Sequence, residues 1–330
     1  MTETFDPAST RHMVAPEFLP ALELFPKVDF TQDISNWRGP ILADLMPPMP
    51  LELAAVDVEE LSVPGLDGAP DVRILVYTPP QMVVAPRAAL LNIHGGGYVI
   101  GRPEQNDRMN RARALDLGCQ VFATSYRLAP ETVFPGAVLD CFAALCWIAE
   151  NAAELGIDPD RIALSGESAG GGHAAALAIH ARNHRRVVHD GPEICFLLLD
   201  SPMLDDRTGS QPTPHPYTGE FTWTAVHNRF GWASLLGRTP GGSDVPAEAV
   251  PARVDDLHEL PPTFIVIGSL DLFLEESLEF ARRLSRAGVA IELHVIPGGF
   301  HGFGLAGPVP LVAQKHGLET AALKRAMKLA

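Results

Sequence analysis

Residues 161–181 read RIALSGESAGGGHAAALAIHA. An apolar run stops at Gly166, and alanine-rich text with helical character starts at Ala169. This is strand, sharp turn and helix in quick succession, with Ser168 at the apex. Glycine at 166 and 170 removes side chains that would keep strand and helix apart. The helix that follows points its free N–H groups and its positive end back at the apex. A serine there is either a plain helix N-cap or a nucleophile on a G-x-S-x-G elbow, and the elbow context favours the nucleophile.

Outward from this stretch, strand and helix alternate. VDVEELSV (56–63) and DVRILVYTP (71–79) read as strands, and AALLNI (88–93) as a strand buried on both faces. DRMNRARALDLG (107–118) reads as a helix and CQVFATSY (119–126) as a strand. GAVLDCFAALCWIAENAAELG (136–156) reads as one long amphipathic helix, and EICFLLLD (193–200) as a strand. The rhythm resumes with TFIVIGS (263–269), EESLEFARRLSRAG (275–288) and AIELHVIPG (290–298), and a helix over 312–330 closes the chain. Such alternation predicts an α/β fold with a mostly parallel central sheet flanked by helices.

The strand at 88–93 runs into HGGGYVIG (94–101). Three consecutive glycines form either a tight turn or a place where something must approach bare backbone. A nucleophilic serine explains them, because acyl attack creates an oxyanion that needs preorganised donors. The N–H groups of Gly96 and Gly97, with that of Ala169, are the expected oxyanion hole. Serine also needs a base that is itself oriented by a third group. Asp271 and His301 each follow a predicted strand, and strand ends in open α/β sheets face one crevice. Glu275 is the alternative carboxylate, with Asp271 then capping the helix.

HGGGY, YRLAPE (126–131), GESAGG (166–171) and HGF (301–303) occur in that order. Together they resemble the bacterial hormone-sensitive-lipase-like family of α/β-hydrolase carboxylesterases, from about Leu51 to the C-terminus. The resemblance implies a triad on Ser168, Asp271 and His301, and a helical cap made of residues 1–50 and 201–250. The hydrolase core is then 51–200 and 251–330. Members of the family often pair through the edge strand near the C-terminus, AIELHVI (290–296) here, so a homodimer is a further expectation. The chain departs from the family at Glu167, where Asp is common, and at DLFLEE around Asp271. Neither departure is expected to change the chemistry.

The remaining polar residues near these motifs have quieter readings. His94 braces the glycine loop, and Tyr126, Arg127 and Glu131 form a buried polar brace below the site. Glu167 sits behind the nucleophile. His173, His180 and His184 share a helix without an HExxH pattern or acidic partners, so no metal is expected. The insertion 201–250 carries Trp223, Phe230 and Trp232. In a cap these, with Tyr98 and with Phe18 from PEFLPALELF (16–25), are expected to line the substrate pocket and to favour short acyl groups.

Bulk properties narrow the partners. A net charge of −15 over 330 residues argues against nucleic acid and anionic membranes. No run is long enough to span a bilayer, and no signal peptide is visible, so a cytoplasmic protein is expected. The four cysteines lack metal or redox spacing. The expected activity is hydrolysis of small esters without a cofactor. An amidase or peptidase would use the same groups against a poorer leaving group. A non-catalytic binding relative would lack one of the triad residues, and all three are present.

Overall fold

The computed structural model describes residues 9–24, 34, 38, 49–82 and 86–329. Its strands are β1 (Asp57–Val63), β2 (Val72–Thr78), β3 (Arg87–Ile93), β4 (Gln120–Ser125), β5 (Ile157–Glu167), β6 (Phe196–Asp200), β7 (Thr263–Gly268) and β8 (Ile291–Ile296). They form one sheet in the order β1-β2-β4-β3-β5-β6-β7-β8. β2 runs antiparallel to both its neighbours, and every pair from β4 to β8 is parallel. The fully buried strands β6 and β7 lie inside, whereas β1, with exposed Asp57, Glu59 and Glu60, forms an edge.

The helices are α1 (Leu19–Leu24), α2 (Leu51–Ala54), α3 (Asp107–Leu117), α4 (Gly136–Glu150), α5 (Ala152–Leu155), α6 (Ala169–Val188), α7 (Ala225–Leu236), α8 (Leu274–Arg286) and α9 (Pro310–Ala326). Because side chains alternate along a strand, Leu91 and Ile93 pack with residues of α4, α6 and α8, while Leu90 packs with α3 and α9 on the other face. A third cluster joins Tyr98, Ala169, Met203, Trp223, Trp232 and Phe273.

The helix expected over 136–156 is broken. At Asn151 the backbone N–H and the side-chain amide both donate to the Trp147 carbonyl, at 3.0 and 2.8 Å, which closes α4 before α5 begins. In the segment between β6 and β7, α7 is the one α-helix among the described residues. Thr224 and His227 form its capping box.

Much of the segment 1–50, expected to belong to the cap, lies outside the described residues. What is described runs beside the loop after β8. The Ala15 N–H donates to the Gly298 carbonyl (3.2 Å), and Phe18 packs on Phe300 and Phe303 with ring centroids 6.3 and 5.1 Å away. Ser9 Oγ, Thr10 N and Thr10 Oγ1 all donate to the Glu220 carboxylate, at 2.7, 2.5 and 2.6 Å. Phe18 therefore joins the α3/α9-side cluster, not the one holding Trp223 and Trp232, and of the insertion's aromatics Phe221 reaches that cluster. The reason is distance along the fold: Phe18 is fully buried behind the histidine loop. Phe18→Ala is expected to cost about 3–5 kcal/mol of stability, as large-to-small core changes do. A thermal or urea melt would show it, and an unchanged midpoint would mean the segment is a loose appendage.

Candidate active site

β5 ends at Glu167 and α6 starts at Ala169, which leaves Ser168 at φ 57° and ψ −122°. Such a conformation costs a non-glycine residue about 1–3 kcal/mol and survives only where its surroundings enforce it. Here they do. Ser168 N–H donates to the Asp200 carbonyl (2.9 Å), and the Ser168 carbonyl accepts from Met203 and Gly172 (3.0 and 3.1 Å). A Cβ on Gly170 would meet the carbonyls of Ile93 and His94, so only glycine lets α6 lie this close to the loop after β3.

Ser168 Oγ is 2.9 Å from His301 Nε2, and His301 Nδ1 is 2.9 Å from Asp271 Oδ2. Asp271 is fully buried, and its second oxygen accepts from the Phe273 N–H (3.0 Å), which fixes the carboxylate. Glu275 is exposed on the first turn of α8, away from this line. Burial disfavours the charged form of His301, but Asp271, then Glu167 and Asp200, more than offset it and hold its pKa above the ordinary histidine value. Phe273 sits edge-on to the imidazole at 5.1 Å, Trp223 lies 6.2 Å away, and Thr222 Oγ1 donates to the His301 carbonyl.

The glycine loop lies alongside. Among the described residues, the N–H groups of Gly96 and Gly97 have no backbone or side-chain acceptor, and Ala169 opens α6, where N–H groups lack helical partners. A Cβ on Gly97, at φ +57°, would fall on the Trp223 ring. His94 braces the loop from behind: its Nδ1 is 2.8 Å from the Gly95 carbonyl, and its ring stacks on Tyr126 at 4.2 Å. Tyr126 in turn donates to the His94 carbonyl (2.8 Å). Burial pushes His94 down to about 4, so it stays neutral.

Other expected site residues separate. Tyr98 donates to the Met203 carbonyl (2.9 Å) and packs 5.0 Å from Trp232, and both are essentially fully buried. They belong to the third hydrophobic cluster, and half-buried Phe230 packs against the same cluster. Trp223 is the pocket candidate that reaches both the glycine loop and His301. The brace of Tyr126, Arg127 and Glu131 also divides. Arg127 pairs with Asp140 on α4 (2.6 Å), while Glu131 is exposed and pairs with Arg38 (2.8 Å). His173 stands between Tyr98 and Tyr126, and burial takes it down to about 3. Among the described residues no group of His, Cys, Asp or Glu could hold a metal ion, and no helix is long and apolar enough to cross a membrane. Two clefts of about 520 and 530 Å³ lie elsewhere, one lined by Asp205, Arg253 and Glu276, the other by Arg182, Arg185 and His189.

Residues 90–305 match the family described as the alpha/beta hydrolase fold. The chain belongs to that family, in its hormone-sensitive-lipase-like branch. It is 34% identical to carboxylesterase NlhH of Mycobacterium tuberculosis, over 98% of this chain and 99% of the relative. It is 32% identical to ethyl acetate hydrolase of Pseudomonas putida, over 74% and 75% of the two chains. Among solved structures, a bacterial heroin esterase superposes with a TM-score of 0.88 at 38% identity, covering 97% of this chain and 99% of the other.

Sequence reading missed several groups that surround this α/β-hydrolase site. Asp140 anchors Arg127, and Arg113, Asp200, Lys315 and Glu319 form a buried ionic set near the elbow. One signal was visible: an aspartate ending the buried strand FLLLD needs a cation from somewhere. Asp271→Asn is expected to cut kcat on the order of 10⁴-fold, as loss of a triad carboxylate does elsewhere. Glu275→Gln should leave it nearly unchanged. Steady-state kinetics on both variants, ranked the other way, would move the acid to Glu275.

Proposed function

We infer that this chain, a carboxylic ester hydrolase like its relatives, cleaves short-chain acyl esters through a covalent acyl-enzyme. The observation that carries this reading is the hydrogen-bonded line from Ser168 through His301 to Asp271, lying beside a glycine loop whose Gly96 and Gly97 amides meet no acceptor among the described residues. Ser168 attacks the ester carbonyl as His301 Nε2 takes its proton, and the N–H groups of Gly96, Gly97 and Ala169 receive the oxyanion. His301 then protonates the leaving alcohol and activates water for deacylation. Asp271 holds the Nδ1–H tautomer and stabilises the imidazolium. Since only the neutral ring can act as base, activity is expected to rise with pH as His301 loses its proton.

Residues 1–50 and 201–250 serve as the cap in this reading, over a core of 51–200 and 251–330. Trp223 sets the space near the acyl group, and its bulk favours short chains. The relative named ethyl acetate hydrolase agrees with that preference. The enzyme works in the cytoplasm, where its four cysteines stay reduced, and pairs with a second copy along β8. Matched ester and amide substrates separate this reading from an amidase, whose leaving group is far harder to protonate.

Ser168→Ala is expected to abolish turnover, and an organophosphate should label Ser168 alone; mass spectrometry finding the label on another serine would overturn the assignment. A p-nitrophenyl ester series should fall off with acyl length. Trp223→Ala should shift the ratio of kcat/KM toward longer chains by roughly tenfold or more, the scale at which one or two methylenes are discriminated.

A further inference from the structure

Beneath the elbow lies a set of ionisable side chains that the reaction described above leaves unused. Lys315 and Glu319 come from α9, Arg113 from α3 and Asp200 from the end of β6, and none is more than 7% exposed. Lys315 Nζ is 2.5 Å from Asp200 Oδ2 and 3.0 Å from Glu319 Oε1. Arg113 Nη2 is 3.3 Å from Glu319 Oε2, and its Nη1 donates to Ser165 Oγ (3.1 Å) and Asn92 Oδ1 (3.3 Å). Glu167 joins the set from β5, where it is paired in register with Asp200.

A buried ionic network gains little stability over an apolar replacement, because desolvation cancels most of the attraction. Its position is more telling. The Asp200 carbonyl accepts the Ser168 N–H, so the residue that Lys315 grips is the one that fixes the nucleophile. Arg113 grips Ser165 on β5, three residues before Ser168.

We propose that Lys315 is a positioning residue of the active site: paired with Asp200, it holds in place the residue whose backbone carbonyl fixes the nucleophile. The Asp200 backbone carbonyl anchors the elbow, and the Asp200 side chain, gripped by Lys315, faces the cation formed on His301 during turnover. The proposal rests on the assignment of Ser168 and His301 given above.

The groups facing each partner define the electrostatics. His301 is faced by Asp271 from the loop after β7, Glu167 from β5, Asp200 from β6 and the Ser168 hydroxyl. Lys315 is faced by Asp200, Glu319, Glu167, its neighbour His316 and the Phe303 ring, whose centroid is 5.9 Å away. Asp200 is faced by Lys315, Glu319, Arg113, Glu167 and Ser201 Oγ. Burial, the largest effect, holds the Asp200 carboxyl above its ordinary value, and Lys315 is the main group pulling it back down. Without Lys315, a buried acid beside two other carboxylates takes up a proton. The field that favours the His301 cation then weakens, and the histidine gives up its proton at lower pH.

The test uses the full chain, with Lys315→Met, Asp200→Asn and the double variant. Each is assayed on p-nitrophenyl acetate across pH, melted thermally and titrated with an organophosphate. Lys315→Met should lower kcat on the order of tenfold, with KM within about twofold, as expected when a reacting group shifts slightly while substrate contacts stay. The acid limb of kcat/KM should move to lower pH. Asp200→Asn should do the same, and the double variant should be no worse than either, because the two residues act as one unit. If Lys315→Met fails to fold, the double variant carries the test, since it removes the charge together with its partner. A folded Lys315→Met with parental kcat and limb, a limb moving to higher pH, or fully additive losses would overturn the proposal. Parent enzyme labelled on a residue other than Ser168 would overturn the assignment beneath it as well.

Discussion

Ser168 is held at a positive φ that no L-residue adopts readily, and the architecture around it can be understood as what keeps it there. The strand order matters for this reason. β6 must lie beside β5 for the Asp200 carbonyl to reach the Ser168 N–H, and the chain must turn after Pro202 for Met203 to reach the Ser168 carbonyl. β7 and β8 follow outward in the same sheet, so the loops after them bring Asp271 and His301 to the same edge. A different order would leave the same residues on the same strands with no common site. The elbow also fixes α6, whose first turns pass over the loop after β3 at a distance only glycine allows.

Charge is the second constraint. A histidine this well buried resists becoming a cation, yet the proposed chemistry requires it to be one transiently. Asp271 answers directly through Nδ1, and Glu167 and Asp200 add to it from behind. Three carboxylates (Glu167, Asp200 and Glu319) meet two cations (Lys315 and Arg113) in that buried set. Burial holds Glu167 and Asp200 above the ordinary carboxyl value, Lys315 pulls both back, and both raise the His301 pKa. The protein thus solvates a future positive charge with fixed groups, which need no reorganisation at the moment of reaction.

These two constraints explain which parts of the molecule were legible in the sequence. Strands such as TFIVIGS, the serine elbow and the glycine triplet were legible because each is a local pattern whose period and turn residues determine its form. Asp271 and His301 were found through the rule that strand ends share a crevice. The break at Asn151 was not legible, because it depends on where one amide points within an otherwise unbroken helical pattern. Tyr98 and Trp232 read as pocket residues because composition cannot tell a buried aromatic from a lining one. Glu131 read as buried because its motif neighbours are, whereas Arg127 finds its partner in Asp140, thirteen residues on. Lys315 lies 147 residues from Ser168, and nothing in its own helix announces that it ends beneath the nucleophile strand.

The insertion after β6 binds both halves of the site to one short segment. Thr222 holds the His301 carbonyl, Trp223 rests on Gly97 and near the imidazole, and a Cβ at Gly231 would strike the Gly97 carbonyl. From outside, Glu220 is gripped by Ser9 and Thr10. Close-packed contacts of this kind transmit displacement instead of absorbing it. If Trp223 bounds the acyl group as proposed, a change that makes room for a larger one also removes the surface against which the glycine loop and the His301 loop are set. Sub-ångström errors at either are costly to a reaction that depends on aligned donors and an aligned base. In the proposed reading, acyl preference and turnover rate are therefore coupled through this segment, and widening the pocket without loss of rate requires a replacement that still packs on Gly97.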